Sequence, residues 1–403
     1  MSTAVPAPAL PPAVPSTAAP VAAPVLFRDL RTACGRRFGI ATLNAPASLN
    51  AISLAMVEAL GPQLDAWFDD PSIVGIVLDG AGERAFCAGG DLRDLYRSIG
   101  EHGAGPNPYA GRFFELEYRL DHRIHTSPKP ILCWGHGIVM GGGIGLMAGA
   151  SHRVVTGRTR LAMPEIAIGL FPDVGGTWFL DRMPGRCGLF LALTGAPMNA
   201  ADALFTGLAD HRLPDTARGA VLDRIASTRW AAEPDLGTRD AARGPGGTNH
   251  DRLSHLLEAA ADVEPPMPSN LRLNFDAIAT LIGHDGLAGI AARLATLRPD
   301  DSWLAQAAAG FLKGSPTSAA LAVALARRGR RRSLADVFRM EYDVALGCCA
   351  SHDFPEGIRA LLIDKDRQPH WQPARLADVD AALLDRHFKP RHDGAHPLAD
   401  LGD

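Results

Sequence analysis

The chain has 403 residues, 47% hydrophobic and 21% charged, with a formal net charge of −4. This is enough apolar material for a large buried core, and the near-neutral balance gives no basic field for nucleic acid. The six cysteines (Cys34, Cys87, Cys133, Cys187, Cys348 and Cys349) show no C-x-x-C pair and no zinc-type spacing. They suggest neither a disulfide framework nor a structural metal, and imply reduced thiols in a cytoplasmic protein.

Residues 1–24 are rich in Ala and carry seven prolines without a basic residue, which breaks any signal segment or membrane span and predicts a disordered tail. The β-rich run Phe38–Leu43 (FGIATL) is followed by Ser53, a good cap for a helix with Met56, Leu60, Leu64 and Trp67 on one face and Pro62 able to kink or divide it. Next come a strand over Ile73–Gly80, a glycine loop AFCAGGD over Ala85–Asp91, and an amphipathic helix near Arg112–His125. A strand at PILCW then leads into a second glycine cluster, MGGGIG. HRVVT and TRLAM predict short strands, and Gly175 to about Gly207 predicts helices joined by turns, one of them capped by Asn199. Composition shifts to Gly, Pro, Arg and Asp over Glu233–Asn249, as in a flexible linker, and residues 252–350 are helical by period. The alternation predicts an α/β fold with a tail (1–24), a catalytic core (25–215), a helix and linker (216–260) and a helical C-terminal region (261–403).

Two features carry chemistry. The loops FCAGGD and MGGGIG each bring glycine backbone to a helix start, where unpaired amides can face an anion, and one amide from each would make an oxyanion hole. Downstream, AMPEIAIGLFPDVGG sets Glu165 and Asp173 in an otherwise apolar run. An unpartnered carboxylate there is either solvated or used for its proton chemistry. A competing pattern exists: Gly143, Gly145 and Ala148 spell G-x-G-x-x-A after a strand, with Glu165 at the distance of a ribose-binding acid. Glu165, however, follows Pro164 rather than ending the second strand of a βαβ unit.

RAFCAGGDLRDLY, HGIVMGGGIGL, AMPEIAIGLFPDVGG, FLALTG, KGSPTS, RMEYDVALGC and HDFPEGIRALLIDKD occur in this order between about Val25 and Phe388. In these pieces the sequence resembles the crotonase (enoyl-CoA hydratase/isomerase) superfamily and, within it, the 3-hydroxyisobutyryl-CoA hydrolases. The resemblance implies a spiral of β-β-α units followed by helices. It implies acyl-CoA thioester hydrolysis, with Gly90 and Gly142 as the amide donors, Glu165 as the catalytic glutamate acting as nucleophile or general base, Asp173 as the acid found in the hydrolases, and Glu117 as a further substrate-site glutamate. Hydratases of this superfamily usually carry a second glutamate two residues after the GGG cluster. Here that position is Gly145, which favours hydrolysis over hydration. No metal or redox cofactor is implied, coenzyme A being part of the substrate. The expected partner is a small-molecule acyl-CoA, without nucleic acid or membrane. A homo-oligomer is compatible with the resemblance, since superfamily members often form trimers.

Several residues have simpler explanations. Asp173 could cap the helix at the double glycine, and Asp91 the helix DLRDLY. His136 reads as a satisfied core residue, the run RRGRRR (Arg327–Arg332) as a solvated helix end, and Cys87 has no convincing base in sequence.

Overall fold

The computed structural model describes residues 23–232, 248–261, 267–297 and 302–402. The predicted tail, apart from residues 23 and 24, and the predicted linker as far as residue 247 lie outside them.

The apolar runs form a six-stranded sheet from β1 (Val25–Arg31), β2 (Arg37–Leu43), β3 (Ile73–Gly80), β5 (Ile131–Gly135), β7 (His152–Thr156) and β9 (His211–Leu213), in the order β1-β2-β3-β5-β7-β9. Only the β1–β2 pair is antiparallel. β3 is buried along its whole length, as its nearly unbroken apolar run requires of a parallel strand covered on both faces. Ile40, Val77, Leu132 and Val154 pack under the helices Arg218–Ser227 and Asn249–Glu258, while Ala41, Ile76 and Leu78 face the larger core.

A second, parallel sheet has the order β4 (Ala85–Cys87), β6 (Ile138–Met140), β8 (Arg160–Ala162). Each of its strands follows a strand of the large sheet and leads into a helix or turn. The sequence β3-β4 runs into α2 (Leu92–His102), β5-β6 into α4 (Gly142–Ala148), and β7-β8 into the turn Glu165–Ile168. This is the expected β-β-α spiral. The segments AFC and IVM, not assigned to strands from sequence, are strands of three residues, too short to show a period of two.

α1 (Leu54–Asp69) is capped by Ser53 and runs through Pro62 without dividing, with Leu60 and Leu64 both buried. Their burial outweighs a cost of about 3 kcal/mol for an interior proline. α3 (Pro108–His125) packs against α1 and against the C-terminal helix Leu334–Cys349, where Phe338 meets Tyr118 with ring centroids 5.7 Å apart. Among the described residues no helix is long and apolar enough to cross a membrane.

Candidate active site

The two glycine loops meet. After β4 the chain turns through Gly89 and Gly90, and Asp91 caps α2 by accepting a hydrogen bond from the Arg93 amide at 3.1 Å. The bridge between Ile52 and Gly90 is made by the Ile52 amide to Gly89 O and the Asp91 amide to Ile52 O, both 2.8 Å, and does not use the Gly90 amide. Gly142 opens α4, where an amide has no acceptor within its own helix. A Cβ on Gly142 would lie 3.6 Å from the Gly90 amide and 2.6 Å from Glu117 Oε1. The two amides thus stand side by side, and a side chain at 142 would have to displace the Glu117 carboxyl.

Glu165 follows Pro164 directly after β8 and opens a short 3-10 turn. It is 4% exposed, and its Oε2 has no hydrogen-bond partner. Its Oε1 would stand 3.0 Å from a Cβ on Gly141, next to the start of α4. Asp173 is buried and accepts the Tyr118 hydroxyl at 2.7 Å, and Glu117 is buried on the inner face of α3. All five residues expected at the site, Gly90, Gly142, Glu117, Glu165 and Asp173, line one cavity of about 80 Å³. Its other walls include Phe113, Phe114, Ile168, Leu170 and Phe354, and among the described residues no cationic side chain lines it.

Burial without a counter-charge disfavours ionisation. It raises Glu165 well above the ordinary carboxyl range, with the Asp173 charge adding to the shift, and it raises Glu117 for the same two reasons. Burial takes Asp173 only to about 6, because the Tyr118 hydroxyl stabilises its anion. The acids repel one another's charges, and the Tyr118 hydroxyl favours the anion on Asp173.

Three groups at the site escaped sequence reasoning. Tyr118 and Asp121 lie on α3 beside Glu117. Asp121 is fully buried, and neither of its oxygens has a hydrogen-bond partner. Burial, then Glu117, Asp173 and Glu341, raise it well above the ordinary range. The signal for it was present: two acids four apart on one helical face without a neighbouring cation. Glu341 is fully buried on Leu334–Cys349 and accepts the amides of Gly175 and Thr177; no local pattern pointed to it. The reading of Asp173 as a helix cap does not hold, since the helix Gly176–Asp181 has no side-chain cap of its own and Glu341 takes its first amides.

The C-terminal motif HDFPEGIRALLIDKD packs on the Glu165 turn. Phe354 from the helix Asp353–Ile358 lines the cavity, and a Cβ on Gly357 would lie 2.4 Å from the Ile168 backbone. Asp353 ties the segment down by accepting the Ser315 hydroxyl at 2.6 Å, while the Ser315 amide bonds to Ile166 O at 2.9 Å.

The remaining candidates resolve plainly. In the G-x-G-x-x-A run, Gly143 is packed on Cys87, whose O would lie 2.4 Å from its Cβ, so this glycine serves close packing rather than a diphosphate. His136 is buried with Nε2 donating to Gly82 O at 3.0 Å, the Cys87 thiol is pushed up to about 12 by burial, and Arg327, Arg328 and Arg330 are exposed. Away from the cavity, ligand atoms of Asp343, His392 and His396 lie within 4.8 Å of one another. The His396 ring is fixed with Nδ1 accepting from the Leu398 amide at 2.9 Å and Nε2 donating to Arg339 O at 3.2 Å, so it offers a cation no lone pair.

The sequence profile of the enoyl-CoA hydratase/isomerase family matches residues 38–388. The chain belongs to this family. A family member from Gallus gallus, named 3-hydroxyisobutyryl-CoA hydrolase, mitochondrial, is 37% identical over 358 residues, covering 87% of this chain and 86% of the relative. A protein of the same name from Danio rerio is 39% identical over 351 residues with the same coverage. Among solved structures, a carnitinyl-CoA dehydratase from Mycobacterium thermoresistibile superposes with a TM-score of 0.77 at 36% identity, covering 91% of this chain and 96% of that one. The expectation of a cytoplasmic protein is overturned by the hydrolase relatives, which are mitochondrial by name.

Proposed function

We propose that this family member is a 3-hydroxyisobutyryl-CoA hydrolase, cleaving the thioester to the free hydroxy acid and coenzyme A. The observation that carries the choice of hydrolysis over hydration is at Gly145. A Cβ there would lie 2.6 Å from Val174 Cβ and 3.0 Å from Asp121 Oδ2, so the space that a hydratase's second glutamate would enter is filled. The names of the hydrolase relatives, each covering most of the chain, support the same choice.

In this mechanism the thioester oxygen sits between the Gly90 and Gly142 amides, whose donors face the charge that develops on it. Ionised Glu165 either attacks the carbonyl carbon, expelling the CoA thiolate and leaving an anhydride that water cleaves, or takes a proton from the attacking water. Asp173 binds the hydroxyl of the acyl group or orients the water, and Glu117 closes the cavity behind the carbonyl.

Thiol release from 3-hydroxyisobutyryl-CoA and 3-hydroxypropionyl-CoA tests the proposal, with crotonyl-CoA as the comparison. Turnover of the hydroxyacyl esters with thiol release is the expected result. Loss of enoyl absorbance from crotonyl-CoA without any thiol would instead make the protein a hydratase.

A further inference from the structure

The turn that carries Asp173 is strained and held from outside the cavity. Val174 has φ +52°, a left-handed conformation that a β-branched residue adopts only under constraint, and Gly175 follows at φ +83°. The buried Val174 side chain is the group that fills the space beside Gly145. One residue before it, Asp173 is tied to α3 through Tyr118. One residue after it, the Gly175 amide donates to Glu341 Oε2 at 2.7 Å, and the Thr177 amide donates to Glu341 Oε1 at 2.8 Å. The strained residue therefore lies between two tethers, one from each of two packed helices. Glu341 is fully buried and does not line the cavity, so it touches no substrate, and its hydrogen bonds to the turn run to the backbone.

We infer that Glu341 is a positioning residue: its grip on the Gly175 and Thr177 amides holds Val174 in the left-handed conformation and so aims Asp173 into the cavity. The inference rests on the proposed role of Asp173 in thioester hydrolysis. Both oxygens of the Glu341 carboxyl accept an amide, as they can in either protonation state, and an amide side chain is not equivalent. Glutamine offers one acceptor oxygen, and its NH₂ would confront the second backbone donor. The clamp matters because residue 174 resists the conformation. A glycine there adopts positive φ without strain, and the clamp would then have little left to do.

A double-mutant cycle over E341Q and V174G tests this. With Val174 in place, E341Q should lower kcat at least tenfold while KM stays within about threefold, because the Gly90 and Gly142 amide donors are untouched. In the V174G background, itself slower than wild type because space opens beside Gly145, the same substitution should cost no more than about threefold. An equal cost in both backgrounds, or an effect confined to KM, overturns the inference. Amide hydrogen exchange without substrate provides the second measurement: the Gly175 and Thr177 amides should be among the slow ones in the wild type and exchange at least tenfold faster in E341Q. Fast exchange in the wild type, or no change in the variant, also overturns it. If E341Q does not fold, E341D, too short to reach both amides, takes its place in the cycle. A wild-type protein that releases no thiol would sink the proposed function alone, and the exchange measurement would still decide whether the clamp exists.

Discussion

The hydroxyl of Tyr118 donates to Asp173 at 2.7 Å, with both residues buried, and is the tie between α3 and the strained turn. Burial lifts Asp173 to about 6, and this bond pulls in the opposite direction. Removing it in Y118F should therefore raise the Asp173 value further. The acid limb of kcat/KM against pH is expected to move to higher pH, with a loss of about 1 kcal/mol in stability for one buried hydrogen bond. A pH–rate profile superimposable on the wild type would show that the reaction does not need Asp173 ionised alongside Glu165.

Glu165 is expected to be required in its ionised form, although burial and the Asp173 charge hold its proton on. The rate should consequently climb as pH rises through and above neutrality. E165Q should lose roughly 10³-fold or more in kcat, in the range known for acid–base groups, while calorimetry shows CoA-ester binding nearly unchanged. Measurable single-turnover hydrolysis at the wild-type rate would remove Glu165 from the chemistry.

Stability should fall between about pH 7 and 8.5. Glu165, Glu117 and Asp121 are raised well above the ordinary carboxyl range, and Glu341 is raised to about 8. A raised carboxyl binds its proton more tightly in the folded state, so its contribution is complete below the unfolded value and is lost as pH climbs to the folded one. His125 and His152, depressed to about 4, act oppositely, but their contribution is already complete above the unfolded histidine value of about 6.5. Above pH 7 the histidines no longer contribute to the slope, and the raised acids drive it downward. Thermal midpoints measured across this window should decrease, and less steeply in E165Q, which removes one titrating group. A flat wild-type curve would contradict the assignment of buried, protonated acids.

Two glycine substitutions separate the donors from the excluded glutamate. In G142A the new Cβ would stand 2.6 Å from Glu117 Oε1 and 3.1 Å from Ile52 Cδ1, so either Glu117 or the amide must move, and activity should fall, by roughly 100-fold if the oxyanion donor is displaced. G145E should not create a hydratase. Its Cβ would meet Val174, and the expected outcome is a destabilisation of about 1–3 kcal/mol from overpacking, with no enoyl-CoA hydration in an absorbance assay. Hydratase activity in G145E would show that the turn yields more easily than its packing implies.

Much of the site was legible from the chain. Glycine pairs at helix starts announce free amides, and carboxylates in an apolar run announce buried acids, so Gly90, Gly142, Glu165 and Asp173 were accessible from residue chemistry and from the family resemblance. Glu117 stood among phenylalanines without a cation nearby, and its α3 neighbour Asp121 carried the same signal. Glu341 had none, because its partners are backbone amides more than 160 residues earlier in the chain. The short strands β4 and β6 were missed for a different reason: three residues cannot display a period.

The sequence by itself determined the α/β alternation, the glycine loops and the acids in an apolar run, because these follow from local patterning and residue identity, and its family resemblance supplied the reaction class to be expected and the meaning of Gly145. Tertiary structure alone decided that the vacated place is filled by Val174 and Asp121, that Tyr118 and Glu341 hold the Asp173 turn from two helices, and that the acids share one cavity without a cation. Proton affinity, strain and the exclusion of a side chain all depend on what lies across a few ångströms of space, and distance along the chain carries almost none of that information.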